Sequence, residues 1–391
     1  MKDREQRNRR KTPRSAWGRL ADRVTSARAS MFGLAVMASA TLVGCWEKTP
    51  RNLLEPVSGS GDISKGMWDL LLGVNAVILA IVAAIFLYVL FRFRERPDDD
   101  GSLPEQVHGN IQMEIAWTIA PTLVVIAITI PTLQGIFALE EGPPEGEEVV
   151  TVNVIGKQWW WEYDYVDPNL EPGSAPMFTT ANEMHVPVGT WVKLNVTSAD
   201  VIHAFWVPRV MGKRDATPGR KYPMYFKIRE AGEYIGQCAE LCGESHALMG
   251  IKLVAHPKEG PNSYNTWVES QKKPAAEPVS RLEQKGQRLF IEKGCNACHN
   301  IGGWDKAQIN PMARSRSTGP DLTHVGSRTT IAGMTLTNTK ENLTRWIYDP
   351  LSIKGGALMA TMSQGIYVEG SPERLTMDDA EALAAYLYRL K

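Results

Sequence analysis

The sequence predicts a multi-domain membrane protein in which a two-helix transmembrane hairpin precedes a β-rich domain and a C-terminal helical domain. Three observations carry this: two apolar stretches of bilayer-spanning length, a dense series of short β-like runs after residue 149, and a closely spaced Cys pair followed by His in a helical region. At 391 residues the chain exceeds a typical domain of about 100 to 200 residues. Its 43 Lys and Arg balance 43 Asp and Glu, so no bulk field points to nucleic acid or an acidic polymer as partner.

Residues 1 to 30 hold ten basic against three acidic residues, and Met31 to Val43 is uncharged and mostly apolar, the pattern of a signal peptide over residues 1–44. Leu42-Val43-Gly44-Cys45 resembles a bacterial lipobox, which implies cleavage before Cys45 and a lipid on its sulfur, supplementing the membrane helices. Residues 45–66 then form an extracytoplasmic segment. Met67 to Phe91 is long enough to span a bilayer, with Asp69 and Asn75 towards its outer end. Arg92, Arg94 and Arg96 follow and place that end in the cytoplasm. Ile115 to Leu139 returns despite Pro121 and Pro131, which membrane helices tolerate. The hairpin, residues 67–140, thus delivers everything after Glu140 to the extracytoplasmic side.

Gly142 to Glu148 is a turn-rich acidic connection. Val149–Ile155, Met184–Val188, Trp191–Val196, Met224–Ile228, Glu233–Gln237 and Gly250–Ala255 follow as candidate strands of a sandwich or barrel of roughly 110 residues. We bound this domain at 147–258. Gln271 to Pro278 lacks apolar periodicity and reads as linker within 259–280. Arg281–Lys293 and Thr376–Leu390 read as helices of a last domain, 281–391, the second opening with a Thr-x-x-Asp capping signal.

The most informative stretch is Cys238-Ala-Glu240-Leu-Cys242-Gly-Glu-Ser-His246-Ala-Leu-Met249, which sets two thiols, an imidazole and a thioether within twelve residues. These soft and borderline ligands suit copper rather than magnesium or calcium. Zinc, the competitor, has little use for a thioether, so Met249 tilts the choice to copper. Asp200-Val201-Ile202-His203 supplies a further His. The five cysteines are then accounted for: Cys45, this pair, and Cys295 with Cys298.

The Cys-x3-Cys-x3-His-x2-Met loop with the earlier Asp-x2-His resembles cytochrome c oxidase subunit II. The resemblance covers about residues 61 to 257, through His108-Gly109-Asn110, Glu114-x2-Trp117-Thr118, Gln158-Trp159-Trp160-Trp161 and Asp215-Ala216-x-Pro218-Gly219-Arg220. It implies a cupredoxin-like β-barrel holding two coppers bridged by Cys238 and Cys242, with His203 and His246 on one copper each and Met249 and the Glu240 carbonyl as weak axial ligands. It further implies a magnesium or manganese ion shared with subunit I through the Glu240 carboxylate. Trp159 matches the residue at which electrons enter, and Glu114 a carboxylate near a proton-pathway entrance. Asp200 would orient His203 or the docking surface. Where the family usually has Tyr, this chain has Trp160.

Cys295-Asn296-Ala297-Cys298-His299 is the attachment motif of a covalent haem c, whose thiols add to the vinyl groups while the His binds iron. Lys354-Gly355-Gly356-Ala357-Leu358-Met359 resembles the Met-bearing loop of small class I cytochromes c, which implies an all-α domain with Met359 as second axial ligand. Ala360 replaces the usual following Pro, Met362 is close enough to compete, and His324 offers a third option. Thr318-Gly319-Pro320-Asp321-Leu322 implies a hydrogen bond from His299 to the Pro320 carbonyl. Gly302 to Ser317 is read as an insertion, with partner docking the alternative. His185 and His256 lack a ligand context and read as surface or strand residues.

Together these features imply an electron-entry subunit of a proton-pumping oxidase in a bacterial cell membrane, multi-pass, whose copper and haem domains face the periplasm. Subunit I and further oxidase subunits would be its partners, and cytochrome c or a quinol-oxidising complex its donor. Quinol oxidase subunits share the hairpin and barrel but lack the copper ligands present here. The remaining alternative is a free-standing membrane-anchored electron carrier or copper-delivery protein.

Overall fold

The computed structural model describes residues 49–94, 105–169, 171, 174–302 and 318–391. The expected signal peptide, Cys45, Arg96 and nearly all of the Gly302 to Ser317 connection lie outside them. Residues from Pro50 onward pack as one unit.

Two long helices come first. Helix α1 spans Gly59–Arg92 and α2 spans Ile111–Glu140, with Pro121 and Pro131 inside it. At 1.5 Å per residue they run to roughly 50 and 45 Å, longer than the ~30 Å hydrocarbon layer, and both are apolar enough to cross a membrane. Helix α1 begins eight residues before the expected Met67 because Ser58 caps it, its hydroxyl accepting from Gly61 N at 3.0 Å. Asn110 caps α2 in the same way, accepting from Gln112 N and Met113 N.

The two extra turns of α1 join the β domain. Ser60 Oγ donates to the Tyr225 carbonyl at 2.8 Å, the Arg229 guanidinium grips both Asp62 oxygens at 2.5 and 3.0 Å, and Arg214 pairs with Glu140 at the end of α2.

Ten strands follow: β1 Val149–Lys157, β2 Trp160–Tyr165, β3 Phe178–Ala181, β4 Glu183–Pro187, β5 Trp191–Ser198, β6 His203–Trp206, β7 Arg214–Ala216, β8 Tyr222–Lys227, β9 Gly232–Cys238 and β10 Gly250–His256. They form two five-stranded sheets, β3-β2-β1-β5-β8 and β4-β10-β9-β6-β7. Strands β1 and β5 pair in parallel, as do β4 and β10, while the other pairs are antiparallel. Period-2 alternation aims Val152 and Val154 of β1 and Val192, Leu194 and Val196 of β5 into one core with Phe205, Ile251 and Leu253 of the second sheet. The domain is therefore a sandwich of two sheets, one of the two arrangements the strand run allowed, where the resemblance implied a barrel.

Residues expected as linker carry helix α3, Tyr264–Gln271, whose Trp267 stacks on His185 with ring centroids 4.2 Å apart. Helix α4, Arg281–Glu292, and the last helix, Met377–Arg389, both open with a complete capping box. Between them lie α5 Lys340–Tyr348, α6 Leu358–Met362 and the short α7 Gln364–Tyr367, making the last helix α8. A Cβ at Gly286 would lie 2.0 Å from the Ala382 carbonyl oxygen, so only glycine lets α4 and α8 cross this closely. Their contact and Leu343 and Ile347 of α5 enclose a second core. This domain is not wholly helical: β11, Thr330–Ile331, pairs with β12, Leu336–Thr337. The ribbon's tip holds Ala332, Gly333 and Met334 all at positive φ, a costly conformation for the two residues with a Cβ.

Candidate functional site

The end of β9, the loop after it and the start of β6 bring six expected ligands together, five side chains and the Glu240 carbonyl. Cys238 Sγ lies 3.8 Å from Cys242 Sγ and 3.9 Å from His203 Nδ1. Cys242 Sγ lies 3.5 Å from His246 Nδ1 and 3.9 Å from Met249 Sδ, and the Glu240 carbonyl is 3.2 Å from Cys238 Sγ. Metal bonds of about 2.0 to 2.3 Å give tetrahedral ligand shells with edges of roughly 3.3 to 3.8 Å, so these separations fit a metal held among the side chains. The thiols are free and buried. His203, Cys238 and Cys242 have ligating atoms all within 4.8 Å of one another.

The loop is held from outside. Cys238 N donates to the Met249 carbonyl at 2.9 Å, tying the loop's two ends together, and Ala239 N to the Ala204 carbonyl of β6 at 3.0 Å. Asp200 Oδ1 sits 2.8 Å from His203 Nε2, leaving Nδ1 turned to the thiols. Gly156 makes room for that ring: a Cβ there would lie 2.7 Å from His203 Cδ2. Burial opposes ionisation of His203, but Asp200 and Cys238 outweigh it and its pKa rises; burial likewise opposes Asp200, whose bonds to His203 and to the Gln158 and Val201 amides bring it down. The thiols separate. Burial raises Cys238, yet the contacts with His203 and the Ala204 amide pull it down to about 7, whereas burial and the charge on Cys238 push Cys242 up to about 12. The first thiolate forms readily, and a cation in the cluster is what the second requires.

The last domain encloses a largely apolar cleft whose wall carries Cys295, Cys298, His299, Met359 and Met362. His299 Nδ1–H donates to the Pro320 carbonyl at 2.8 Å, fixing the ring. Gly319 permits this, since a Cβ there would lie 2.6 Å from His299 Cε1. Burial lowers the His299 pKa, keeping the imidazole neutral as a ligand must be. Two thiols, a neutral His and an apolar wall fit a haem. Both Met359 and Met362 stand on α6 beside the cleft. His324 is held elsewhere, its Nε2–H shared between the Gln271 and Lys273 carbonyls at 3.2 and 3.1 Å.

Two residues of this region escaped sequence reasoning. Arg328 lines the cleft, donates to the Asp321 carbonyl at 2.5 Å, and keeps a buried Nε without a partner, which suits an anionic group. Lys354, 4% exposed, points its ammonium at the Trp159, Leu248 and Ala332 carbonyls at 2.6, 2.9 and 3.1 Å. Burial drags it down to about 7, while the nearby Cys242 favours the charged form. The loop motif that opens with Lys354 gave its ammonium no role, and no local motif marks Arg328.

Trp159 belongs to both sites. Its indole Nε1–H donates to the Cys242 carbonyl at 3.1 Å, and the residue lines the cleft of the last domain. Glu240 presents its side chain at the surface of the copper loop. Glu114 stands apart in the first turn of α2, roughly 40 Å along the axis from Glu140.

Residues 57–134 match the family described as cytochrome c oxidase subunit II, transmembrane domain, and 150–255 the periplasmic domain of the same subunit. Residues 283–391 match cytochrome c. Cytochrome c oxidase subunit 2 of Alkalihalophilus pseudofirmus is 36% identical over 356 residues, covering 90% of this chain and 94% of that protein. This chain belongs to the cytochrome c oxidase subunit II family. The Bacillus subtilis subunit 2 is 32% identical, covering 86% of this chain and 92% of its own. The solved periplasmic domain of oxidase subunit II from Bradyrhizobium japonicum is 35% identical, covering 34% of this chain and 97% of that domain, with a TM-score of 0.29. As a subunit II with a C-terminal cytochrome c domain, the chain is a membrane protein and part of an electron-transferring oxidoreductase. The subunit II domain implies a copper centre and the cytochrome c domain a haem.

Proposed function

We propose that this chain is the electron-entry subunit of a proton-pumping cytochrome c oxidase, taking electrons at a covalent haem c and passing them through a dinuclear copper centre to subunit I. The observation that carries the reading is Trp159, one side chain that touches both the copper loop and the haem cleft. When bound, copper and haem supply reversible one-electron exchange; the chain supplies the frame. Cys238 and Cys242 would bridge two coppers, with His203 and His246 as terminal ligands and Met249 and the Glu240 carbonyl as weak ones. A cage fixed by backbone bonds and by Asp200 would keep its geometry through an electron's arrival and departure, which is what fast transfer asks of it.

Cys295, Cys298 and His299 would hold the haem, with Met359 as second axial ligand and Met362 the competitor. The Glu240 carboxylate would hold magnesium or manganese shared with subunit I, and Glu114 would serve proton entry. The exposed apolar faces of α1 and α2 suit lipid and the helices of subunit I. Residues 1–44 would be removed as a signal peptide and Cys45 lipidated. The donor would be a cytochrome c or an attached quinol-oxidising complex.

Copper and haem should quantify as two and one per chain. Cys242→Ser in the assembled oxidase should abolish the copper near-infrared band and oxygen turnover while the haem c spectrum persists. Unchanged copper content would refute the ligand assignment. A free-standing carrier would instead purify in mild detergent without a many-helix, haem-bearing subunit.

A further inference from the structure

The geometry points to Lys354 as the positioning residue of a clasp that holds the cytochrome domain permanently seated on the copper loop, so that transfer between the two sites needs no domain encounter. This rests on the relay reading above and adds how the relay is held together.

Lysine has three donors, and here each meets a backbone carbonyl, from Trp159 and Leu248 on the copper domain and from Ala332 on the ribbon tip. Leu248 precedes the copper ligand candidate Met249, and Lys354 lies five residues before Met359 on the same loop. One ammonium therefore ties together the segments that carry both axial methionine candidates and the bridging tryptophan. A buried ammonium is costly unless its donors are met, so this arrangement is stable only while the domains are in contact.

The chain is shaped to let it form. A Cβ at Gly333 would lie 2.5 Å from Lys354 Nζ, and one at Gly356 would lie 2.8 Å from Trp159 Cη2. Backbone bonding crosses the seam as well: Gly250 N donates to the Gly333 carbonyl at 3.0 Å, and Ser245 Oγ to the Gly355 carbonyl at 2.6 Å. A second grip lies at the base of the ribbon. The buried Glu183 carboxylate accepts from the amides and hydroxyls of both Thr329 and Thr330 at 2.7 to 2.9 Å, and Lys252 Nζ donates to Thr329 Oγ1 at 2.7 Å. The strained tip of Ala332, Gly333 and Met334 is thus where the cytochrome domain is fastened to its neighbour, the setting in which such strain is retained. Trp159 and Trp160 are each only 8% exposed beneath this seam, so an external donor meets the haem domain rather than the copper domain's tryptophans.

The test uses the complete copper- and haem-loaded oxidase, with haem c reduced by a light-triggered donor and its reoxidation by copper followed as glycerol raises the viscosity. In the native protein the rate should not depend on viscosity. Lys354→Met should slow it by about tenfold or more and make it viscosity-dependent, with both absorption bands unchanged; Lys354→Gln, which retains two donors, should fall between. Glu183→Ala should also introduce viscosity dependence. A native rate that falls with viscosity overturns the clasp, as does a Lys354→Met protein that matches native in rate and viscosity independence. Should Lys354→Met lose either band, the native measurement and Glu183→Ala decide. Complete absence of haem-to-copper transfer in the native protein would instead overturn the relay reading itself.

Discussion

At the scale of single residues, the proposed copper cluster depends on a group outside the thiol cage. Asp200 fixes which nitrogen of His203 faces the thiols, because its carboxylate takes Nε2 at 2.8 Å. Asp200→Asn keeps the shape but offers an amide that can turn its NH2 to the ring and favour the wrong tautomer. Copper affinity should fall by about 10- to 100-fold, measured by competition with a calibrated chelator, and an unchanged affinity would sink the role given to Asp200. The clustering of the candidate ligands was legible because four lie within twelve residues and share soft or borderline donors, while His203 carries a local Asp-x2-His. Lys354 and Arg328 were not. The meaning of Lys354 comes from carbonyls in three separate segments, and that of Arg328 from an enclosed Nε, neither of which a linear reading contains.

At the scale of elements, the cytochrome domain turns on the α4–α8 crossing. Gly286→Ala would drive a methyl into the Ala382 carbonyl, a contact of 2.0 Å against backbone that cannot rotate away. The expected cost is about 1 to 3 kcal/mol, the usual range for overpacking. In calorimetry the haem domain should melt earlier, while the copper band at room temperature stays intact; loss of the copper band first would contradict the separation into two cores. Strands with clear alternation, such as β1 and β5, were legible. Strands β3, β6 and β7 were not, since three or four residues carry too little periodicity. Strand β2 hid within the tryptophan run, where burial of Trp160 and Trp161 on both faces breaks the alternation. The two-residue strands β11 and β12 fall below any pattern, yet their ribbon carries the domain contact.

At the scale of the whole molecule, the two domains meet through edges whose stability depends on pH as well as on packing. Strands β4 and β10, which carry Glu183 and Lys252 of the seam, also carry His185 and His256, stacked against Trp267 of α3. The Asn262 carbonyl only accepts, so His256 Nδ1 donates to it at 2.8 Å and its Nε2 must accept from His185 Nδ1–H at 2.7 Å. A proton added to His256 Nε2 would set N–H against N–H. Burial lowers the pKa of both rings, with His256, Lys252 and Arg328 adding to the effect on His185. For a base whose folded pKa lies below its unfolded value near 6.5, the unfolded chain binds more protons in the window between the two. Stability is therefore full above that unfolded value and is lost as pH falls towards the folded pKa. The melting midpoint of the β domain should drop between about pH 8 and about pH 5.5, and the combined His185→Gln and His256→Gln change should flatten that drop. If the double variant follows the native curve, the titrating groups lie elsewhere and the histidine pair is only packing. If it flattens the curve, acid weakens the same sheet edge that holds the cytochrome domain.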